Sequence, residues 1–200
     1  MSIDLFLALT AFAFVTTVTP GPNNLMLVAS GVNFGFRRSL PHLLGINVGF
    51  PLMIGLVGLG LGLGQVFAVF PALYTVLKVA GTAYMLWMAW RIANAGPVEG
   101  GGAAGTPLSF LQAALFQWVN PKGWMMAMTA VATYTVVGNY YVTLFVIVTV
   151  FTIVGFPSST IWIGFGTALR QFLSDPRYYR AVNITMAVLL VLSLLPMIMH

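Results

Sequence analysis

The stretch TPGPNN at residues 19–24 interrupts a long apolar run, and QWVNPK at residues 117–122 interrupts a second one. Proline lacks a backbone donor and its ring clashes with the carbonyl group one turn earlier, so both stretches are expected to break a helix. Pro20 and Pro121 lie 101 residues apart in a chain of 200. This spacing indicates two related halves, each with one broken helix.

The composition around these breaks is that of a membrane protein. Hydrophobic residues make up 60% of the chain and charged residues 6%, and the mean hydropathy is +0.97. Soluble domains carry about 25% charged residues. A helical span needs roughly 20 apolar residues, so the chain has room for about six spans. Runs such as Val142–Phe156 lack the alternation of membrane β-strands. We therefore predict an all-α membrane protein.

The same composition argues against several other classes of protein. The eight basic residues are scattered among apolar runs, so the chain has no basic face for nucleic acid. It contains no cysteine, two histidines and no acidic residue in the interior of a predicted helix, since Asp4 stands at the outer end of the first one, which leaves too few ligands for a metal. No phosphate-binding motif is present. We expect no cofactor and no enzymatic activity.

Turn residues divide the apolar runs into predicted helices near 3–18 with 24–35, 41–64, 71–92, 108–135, 139–168 and 181–199. Residues 95–108 contain five glycines and two prolines, a composition typical of a flexible linker. This linker separates a first three-helix repeat (1–94) from a second (109–200). Because each half has an odd number of spans, the second enters the membrane from the opposite side. The expected fold is six transmembrane helices in two inverted three-helix repeats, with broken helices 1 and 4.

The distribution of basic residues predicts the orientation in the membrane. The loops after spans 1, 3 and 5 contain six arginines: Arg37, Arg38, Arg91, Arg170, Arg177 and Arg180. The loops after spans 2 and 4 and both termini contain no lysine or arginine. Both termini are therefore expected outside and the arginine-bearing loops in the cytoplasm. His42, at the cytoplasmic end of span 2, is expected at the interface.

A pair of interrupted helices in matching positions is the best sequence indication of a transporter site. A restarted half-helix presents free N–H groups and the positive end of its dipole, which suit a carboxylate. Asn23, Asn24 and Asn120 can cap these ends or bind a ligand. Lys122 lies near the middle of span 4, and its missing counter-ion would be the carboxylate of a substrate. Alternatively, Lys122 donates to the carbonyl groups of the broken helix and the prolines only shape packing.

With these residues in hand, the chain resembles the LysE/RhtB family of amino-acid exporters over nearly its full length. The resemblance rests on TPGPNN at 19–24, Gly31, Gly35, Gly45 with Gly49, KVAGTAYMLW at 78–87 and NPK at 120–122. It implies a small exporter of amino acids or their derivatives in the bacterial inner membrane, driven by the proton-motive force. The candidate substrate-binding residues are Pro20, Gly21, Pro22, Asn23, Asn24, Asn47, Lys78, Gly81, Tyr84, Gln117, Asn120, Pro121 and Lys122.

One departure from the family bears on the substrate. The family's exporters of basic amino acids are expected to have an acidic residue in span 2, where this chain has Asn47. A cationic side chain in a pocket without a carboxylate would be an unpaired buried charge. The sequence therefore favours a neutral amino acid.

Two other functions remain open from the sequence. The same broken helices could form a passive channel or facilitator for small polar solutes, and the chain could be a non-transporting membrane subunit. Glycines 55, 58, 60, 62, 64, 164 and 166 would let helices approach closely within one subunit or between the two subunits of a homodimer. The expected partners are thus an amino-acid substrate and the lipid bilayer.

Overall fold

The computed structural model describes residues 1–61, 71–95, 105–173 and 175–195, and this part of the chain is helical without a β-strand. Its α-helices are α1 (Ile3–Val18), α2 (Pro22–Phe34), α3 (Leu40–Leu56), α4 (Pro71–Ala93), α5 (Phe110–Phe116), α6 (Pro121–Tyr134), α7 (Tyr140–Phe172) and α8 (Pro176–Leu192). Short 3-10 turns lie at Arg37–Ser39, Gln117–Val119 and Val137–Asn139. The all-α prediction is confirmed for these residues. Most of the predicted linker, residues 96–104, lies outside them.

Two of the described helical stretches are long and apolar enough to cross a membrane, Arg37–Gly60 and Val137–Phe172. Helices α1 and α2 form a third candidate when they are counted as one span bent by 48°. The described residues thus support two or three spans by length and composition. The arrangement of six spans in inverted repeats remains a prediction.

The first predicted break separates α1 from α2. Helix α1 ends at Val18, Thr19 and Gly21 are both extended, and Pro22 is the first residue of α2. Proline suits the first position of a helix because its missing N–H would have no intrahelical acceptor there. The break expected at residues 19–24 is confirmed.

The second predicted break separates α5 from α6. Helix α5 passes into the 3-10 turn Gln117–Val119, Asn120 is extended (φ −86°, ψ 108°), and Pro121 begins α6. A residue before proline is driven towards extended geometry, as is also seen at Gly21 before Pro22. The structural counterpart of Pro121 is therefore Pro22, which begins the restarted helix, and not Pro20, with which the sequence spacing paired it.

The helices of the two halves pack against each other. Helix α7 lies along α1, α2 and α3, and α5 packs on α3, while α4 packs on α8. At the α2–α7 crossing a methyl group added to Gly31 would overlap the carbonyl oxygen of Ile163, and one added to Gly166 would overlap that of Val28. Glycine at both positions permits this close backbone approach.

The packed side chains form two apolar clusters. One contains Leu27, Ile46 and Met85 and draws on α2, α3, α4 and α8. The other contains Phe50, Met126 and Phe151 and draws on α1, α3, α6 and α7. The polar residues of the two helix breaks lie where these clusters meet.

His42, expected at the cytoplasmic end of span 2, is buried between helices. Its side chain is 1% exposed, and its Nδ1 lies 2.8 Å from the hydroxyl oxygen of Ser30. A polar partner on the neighbouring helix α2 lets the imidazole sit inside the bundle without losing its hydrogen bond.

Candidate functional site

A cavity lies between the two helix breaks, and about 50 Å³ of it is accessible to water. One water molecule needs roughly 10–15 Å³ by this measure, so the cavity has room for a small polar solute. Its lining comes from α1, α2, α3, α6 and α7: Thr16, Thr17, Gly21, Pro22, Asn23, Asn24, Ile46, Asn47, Phe50, Pro51, Asn120, Lys122, Gly123, Met126, Phe151, Gly155 and Ser159.

The carbonyl groups freed at the end of α1 are bound by side chains rather than by water alone. The Asn24 amide donates to the carbonyl oxygens of Thr17 at 2.8 Å and Thr19 at 2.9 Å. The Ser158 hydroxyl, on α7, also donates to Thr17 at 2.9 Å. The last carbonyls of a helix have no intrahelical donor, so these contacts are what allow α1 to end inside the protein.

Lys122 connects the two breaks. Its nitrogen donates to the carbonyl oxygen and the hydroxyl of Thr19, both at 2.9 Å, and it lies 3.4 Å from the Pro20 carbonyl oxygen. The side chain runs over Gly21, where an added methyl group would lie 2.7 Å from the Lys122 Cδ. Any larger residue at position 21 would displace the lysine. The interpretation that Lys122 donates to the broken-helix carbonyls is therefore confirmed.

Asn23 and Gln117 form a second link between the breaks. The Asn23 amide donates to Gln117 Oε1 at 2.9 Å, and the Gln117 amide donates back to Asn23 Oδ1 at 3.2 Å. Gln117 is fully buried and also donates to the Ala113 carbonyl oxygen. This reciprocal pair fixes the start of α2 against the 3-10 turn before α6.

Asn120 lines this cavity and carries an acceptor atom without a partner in the described part of the chain. The residue is 2% exposed, and its Oδ1 has no hydrogen-bond partner among the described residues. A buried polar atom without a partner costs free energy, so an atom of this kind needs an explanation such as a ligand. The cavity thus offers a free acceptor, a cation at Lys122 and the first amides of α2, which together match the charges of a zwitterion.

The structure does not bring all the predicted site residues to the cavity. Seven of them line it: Gly21, Pro22, Asn23, Asn24, Asn47, Asn120 and Lys122. Six do not line the cavity. Three of these belong to the breaks, namely Pro20, Gln117 and Pro121. The other three lie on α4: Lys78, Gly81 and Tyr84.

Helix α4 instead supports the second break from outside. A methyl group added to Gly81 would lie 2.7 Å from the Val119 carbonyl oxygen, and the Tyr84 ring packs 5.6 Å from that of Phe116. Lys78 is partly exposed on the same helix.

The sequence analysis missed the contribution of α7. Gly155 and Ser159 line the cavity, and Ser158 caps α1. The signal was present as Pro157-Ser158-Ser159, a small polar interruption in an otherwise apolar span. Polar residues at that depth need partners, which marks them as candidates for a buried site.

The chain is similar to known proteins over most of its length. The LysE type translocator family matches residues 14–195. The cysteine/O-acetylserine efflux protein of Escherichia coli (strain K12) is 31% identical over 192 residues, which is 96% of each chain. Proteins of the same name from Shigella sonnei (strain Ss046) and Shigella flexneri serotype 5b (strain 8401) are similar to the same extent. No solved structure matches the chain significantly.

Proposed function

The chain belongs to the LysE type translocator family, a family of membrane transporters, and we propose that it exports a small neutral amino acid or derivative from the bacterial cytoplasm. The names of its relatives, cysteine/O-acetylserine efflux proteins, support a substrate with a short polar side chain. The observation that carries the proposal is the cavity between the two helix breaks, which is lined by Lys122 and by Asn120, whose Oδ1 has no partner among the described residues.

The binding mode follows from the charges of the site. The substrate carboxylate lies at the start of α2, where the free N–H groups of the first turn and the positive end of the helix dipole attract an anion. Asn23 and Lys122 border this position and can each donate a hydrogen bond to the carboxylate, while the Asn24 amide holds the end of α1. The substrate ammonium is bound by Asn120 Oδ1 and the carbonyl oxygens of Thr19 and Pro20. Phe50, Met126 and Phe151 enclose the side chain and limit its size.

The preference for a neutral substrate has two supports. In the described part of the chain, no acidic residue lines the cavity, and Asn47 stands on α3 with its amide donating to the Leu43 carbonyl oxygen at 2.8 Å. A lysine or arginine substrate would therefore place a cationic side chain in the cavity without a counter-ion.

Transport proceeds by alternating access between two inverted repeats, residues 1–94 and 109–200, joined by the linker 95–108. The packing of α1 and α2 on α7, and of α5 on α3, supports this arrangement because each broken span meets the second span of the other half. We place the protein in the inner membrane with both termini outside, and the proton-motive force drives export. A homodimer is compatible with this mechanism but is not needed for it.

Counterflow in proteoliposomes tests the function. Vesicles loaded with unlabelled O-acetyl-L-serine are diluted into labelled O-acetyl-L-serine, L-serine or L-lysine. We expect transient accumulation of a neutral compound, and its loss in Asn120→Ala but not in Asn94→Ala, an exposed asparagine at the end of α4. Equilibration without transient accumulation would indicate a passive channel. No uptake of any of these compounds would favour the alternative that the chain is a non-transporting membrane subunit.

A further inference from the structure

Among the described residues, Lys122 is a cation bound only by neutral acceptors. Its nitrogen has three donors, and the three atoms it meets are the Thr19 carbonyl oxygen and hydroxyl and the Pro20 carbonyl oxygen. In transporters with broken helices, the carbonyl groups at such a half-helix end bind the coupling cation. Here a side chain of the protein itself occupies that position.

The carbonyl groups that hold Lys122 are also those assigned to the substrate ammonium in the proposed binding mode. The Thr19 carbonyl oxygen lies 2.9 Å from the Lys122 nitrogen, a normal hydrogen-bond distance, and the Pro20 carbonyl oxygen lies 3.4 Å from it. Two ammonium groups cannot occupy this one position at the end of α1. Binding of the substrate ammonium therefore requires Lys122 to leave.

Lys122 is also the one ionisable side chain among the described residues that line the cavity. The other polar side chains of the described lining are neutral hydroxyls and carboxamides: Thr16 and Thr17 on α1, Asn23 and Asn24 on α2, Asn47 on α3, Asn120 before α6 and Ser159 on α7. The buried His42 forms its hydrogen bond to Ser30 and does not line the cavity. No carboxylate of the described part faces Lys122 across the cavity.

We propose that Lys122 is the proton-coupling residue: its ammonium and the substrate ammonium occupy the Thr19–Pro20 carbonyls in turn, and the proton that Lys122 releases is exchanged for the substrate. This inference rests on the proposed function and concerns the same site. It names the group that carries the proton in a cavity without an acidic residue.

The cycle balances in charge and protons. Facing the cytoplasm, the zwitterionic substrate binds, its ammonium displaces that of Lys122, and Lys122 releases one proton to cytoplasmic water and remains as a neutral amine. The displaced lysine has lost its hydrogen-bond acceptors, and a charged Lys122 would be a second buried cation beside the substrate ammonium. Release of its proton removes this unfavourable charge. Facing outward, the substrate leaves, and Lys122 takes a proton from external water and returns to Thr19 and Pro20.

Substitutions at Lys122 separate this role from a structural one. Glutamine at position 122 still donates a hydrogen bond across the break but carries no proton to exchange. Arginine keeps the charge and the donors but does not deprotonate in proteins. A purely structural lysine would be rescued best by arginine, whereas a proton carrier would not be. Lys78, partly exposed on α4 and outside the cavity, is the matched control.

The experiment combines counterflow with two proton measurements, using labelled O-acetyl-L-serine as the probe below pH 7.5. In the wild type and Lys78→Gln, we expect counterflow, accumulation driven by an acid-inside pH gradient, and release of about one proton per substrate bound. In Lys122→Gln, we expect the number of protons released per substrate bound to fall from about one to zero, and gradient-driven accumulation to be lost. In Lys122→Arg, we expect gradient-driven accumulation to be lost as well.

Three results would overturn the inference. Accumulation driven by the pH gradient in Lys122→Gln, or in Lys122→Arg, would show that Lys122 is not the proton-coupling residue. Wild-type counterflow without proton release on binding would mean that Lys122 stays protonated, beside the substrate carboxylate. The proposed export function would then remain, without a coupling role for Lys122. Absence of wild-type counterflow would refute the proposed function itself.

Discussion

The nitrogen of Lys122 donates to the carbonyl oxygen of Thr19 at 2.9 Å, across 103 positions of sequence. Thr19 caps the end of α1, and Lys122 is the second residue of α6, so this hydrogen bond joins the two helix breaks directly. The polar residues around it are held by packing between helices of the two halves.

Replacing Gly31 with alanine should destabilise the protein. The new methyl group would overlap the Ile163 carbonyl oxygen and lie 2.8 Å from the Thr167 nitrogen, both on the backbone of α7. Overpacking of this kind costs about 1–3 kcal/mol. Thermal unfolding in detergent should show a lower midpoint for Gly31→Ala. Gly164→Ala is the control, since nothing in the described part lies within 4 Å of its added methyl group. Equal midpoints for both variants would contradict the close packing of α2 on α7.

Replacing Asn23 with alanine should also destabilise the protein, because it leaves the buried Gln117 Oε1 without its donor. An unsatisfied buried acceptor costs about 1–3 kcal/mol. Gln117→Ala should have a similar effect, and the double variant should be less destabilised than the sum of the single variants. Denaturant unfolding of the four proteins measures this coupling. Strict additivity would show that the two side chains do not interact.

Asn47→Asp should open the site to basic amino acids. Aspartate cannot donate to the Leu43 carbonyl oxygen as Asn47 does, so its carboxylate turns to the cavity and supplies a counter-ion. A new interaction of about 1.4 kcal/mol corresponds to a tenfold gain in affinity. Lysine counterflow should therefore rise about tenfold over the wild type in this variant. Asn94→Asp, with the same charge outside the cavity, should behave as the wild type. Unchanged lysine transport by Asn47→Asp would remove the electrostatic argument for a neutral substrate.

The predicted orientation can be measured by labelling single introduced cysteines, and no other residue of the protein would be labelled because the chain contains no cysteine. Ser2→Cys and Gly138→Cys should react in intact cells with a maleimide that cannot cross the membrane. Thr106→Cys should react only after the inner membrane is permeabilised. All three positions are exposed in the structure, so burial would not account for a lack of labelling. The reverse pattern would invert the topology derived from the arginine-bearing loops.

Much of the helical fold could be predicted because its causes are local. Proline removes a donor wherever it stands, so TPGPNN and NPK mark the two breaks without reference to any neighbour. The order and spacing of the same motifs indicate the family, which the match over residues 14–195 confirms. Spacing alone does not tell which of two prolines begins the second helix, and the structure places Pro22 there.

The partners of the polar side chains could not be predicted, because they come from distant parts of the chain. The buried His42 finds its partner in Ser30, 12 positions earlier on α2. Ser158 caps α1 across 141 positions, which no local pattern reveals. Lys78, Gly81 and Tyr84 belong to the family motif, yet they lie outside the cavity, where Gly81 and Tyr84 pack around the second break.

The sequence by itself determined that this chain is an apolar helical protein with two interrupted helices, because composition and proline act through backbone chemistry at each position. Only the tertiary structure decided that Lys122 binds Thr19, that Asn23 pairs with Gln117 and that Asn120 Oδ1 has no partner in the described part. The reason is physical. In a low-dielectric interior each freed carbonyl or amide must find a partner, and which one it finds depends on how closely the helices pack.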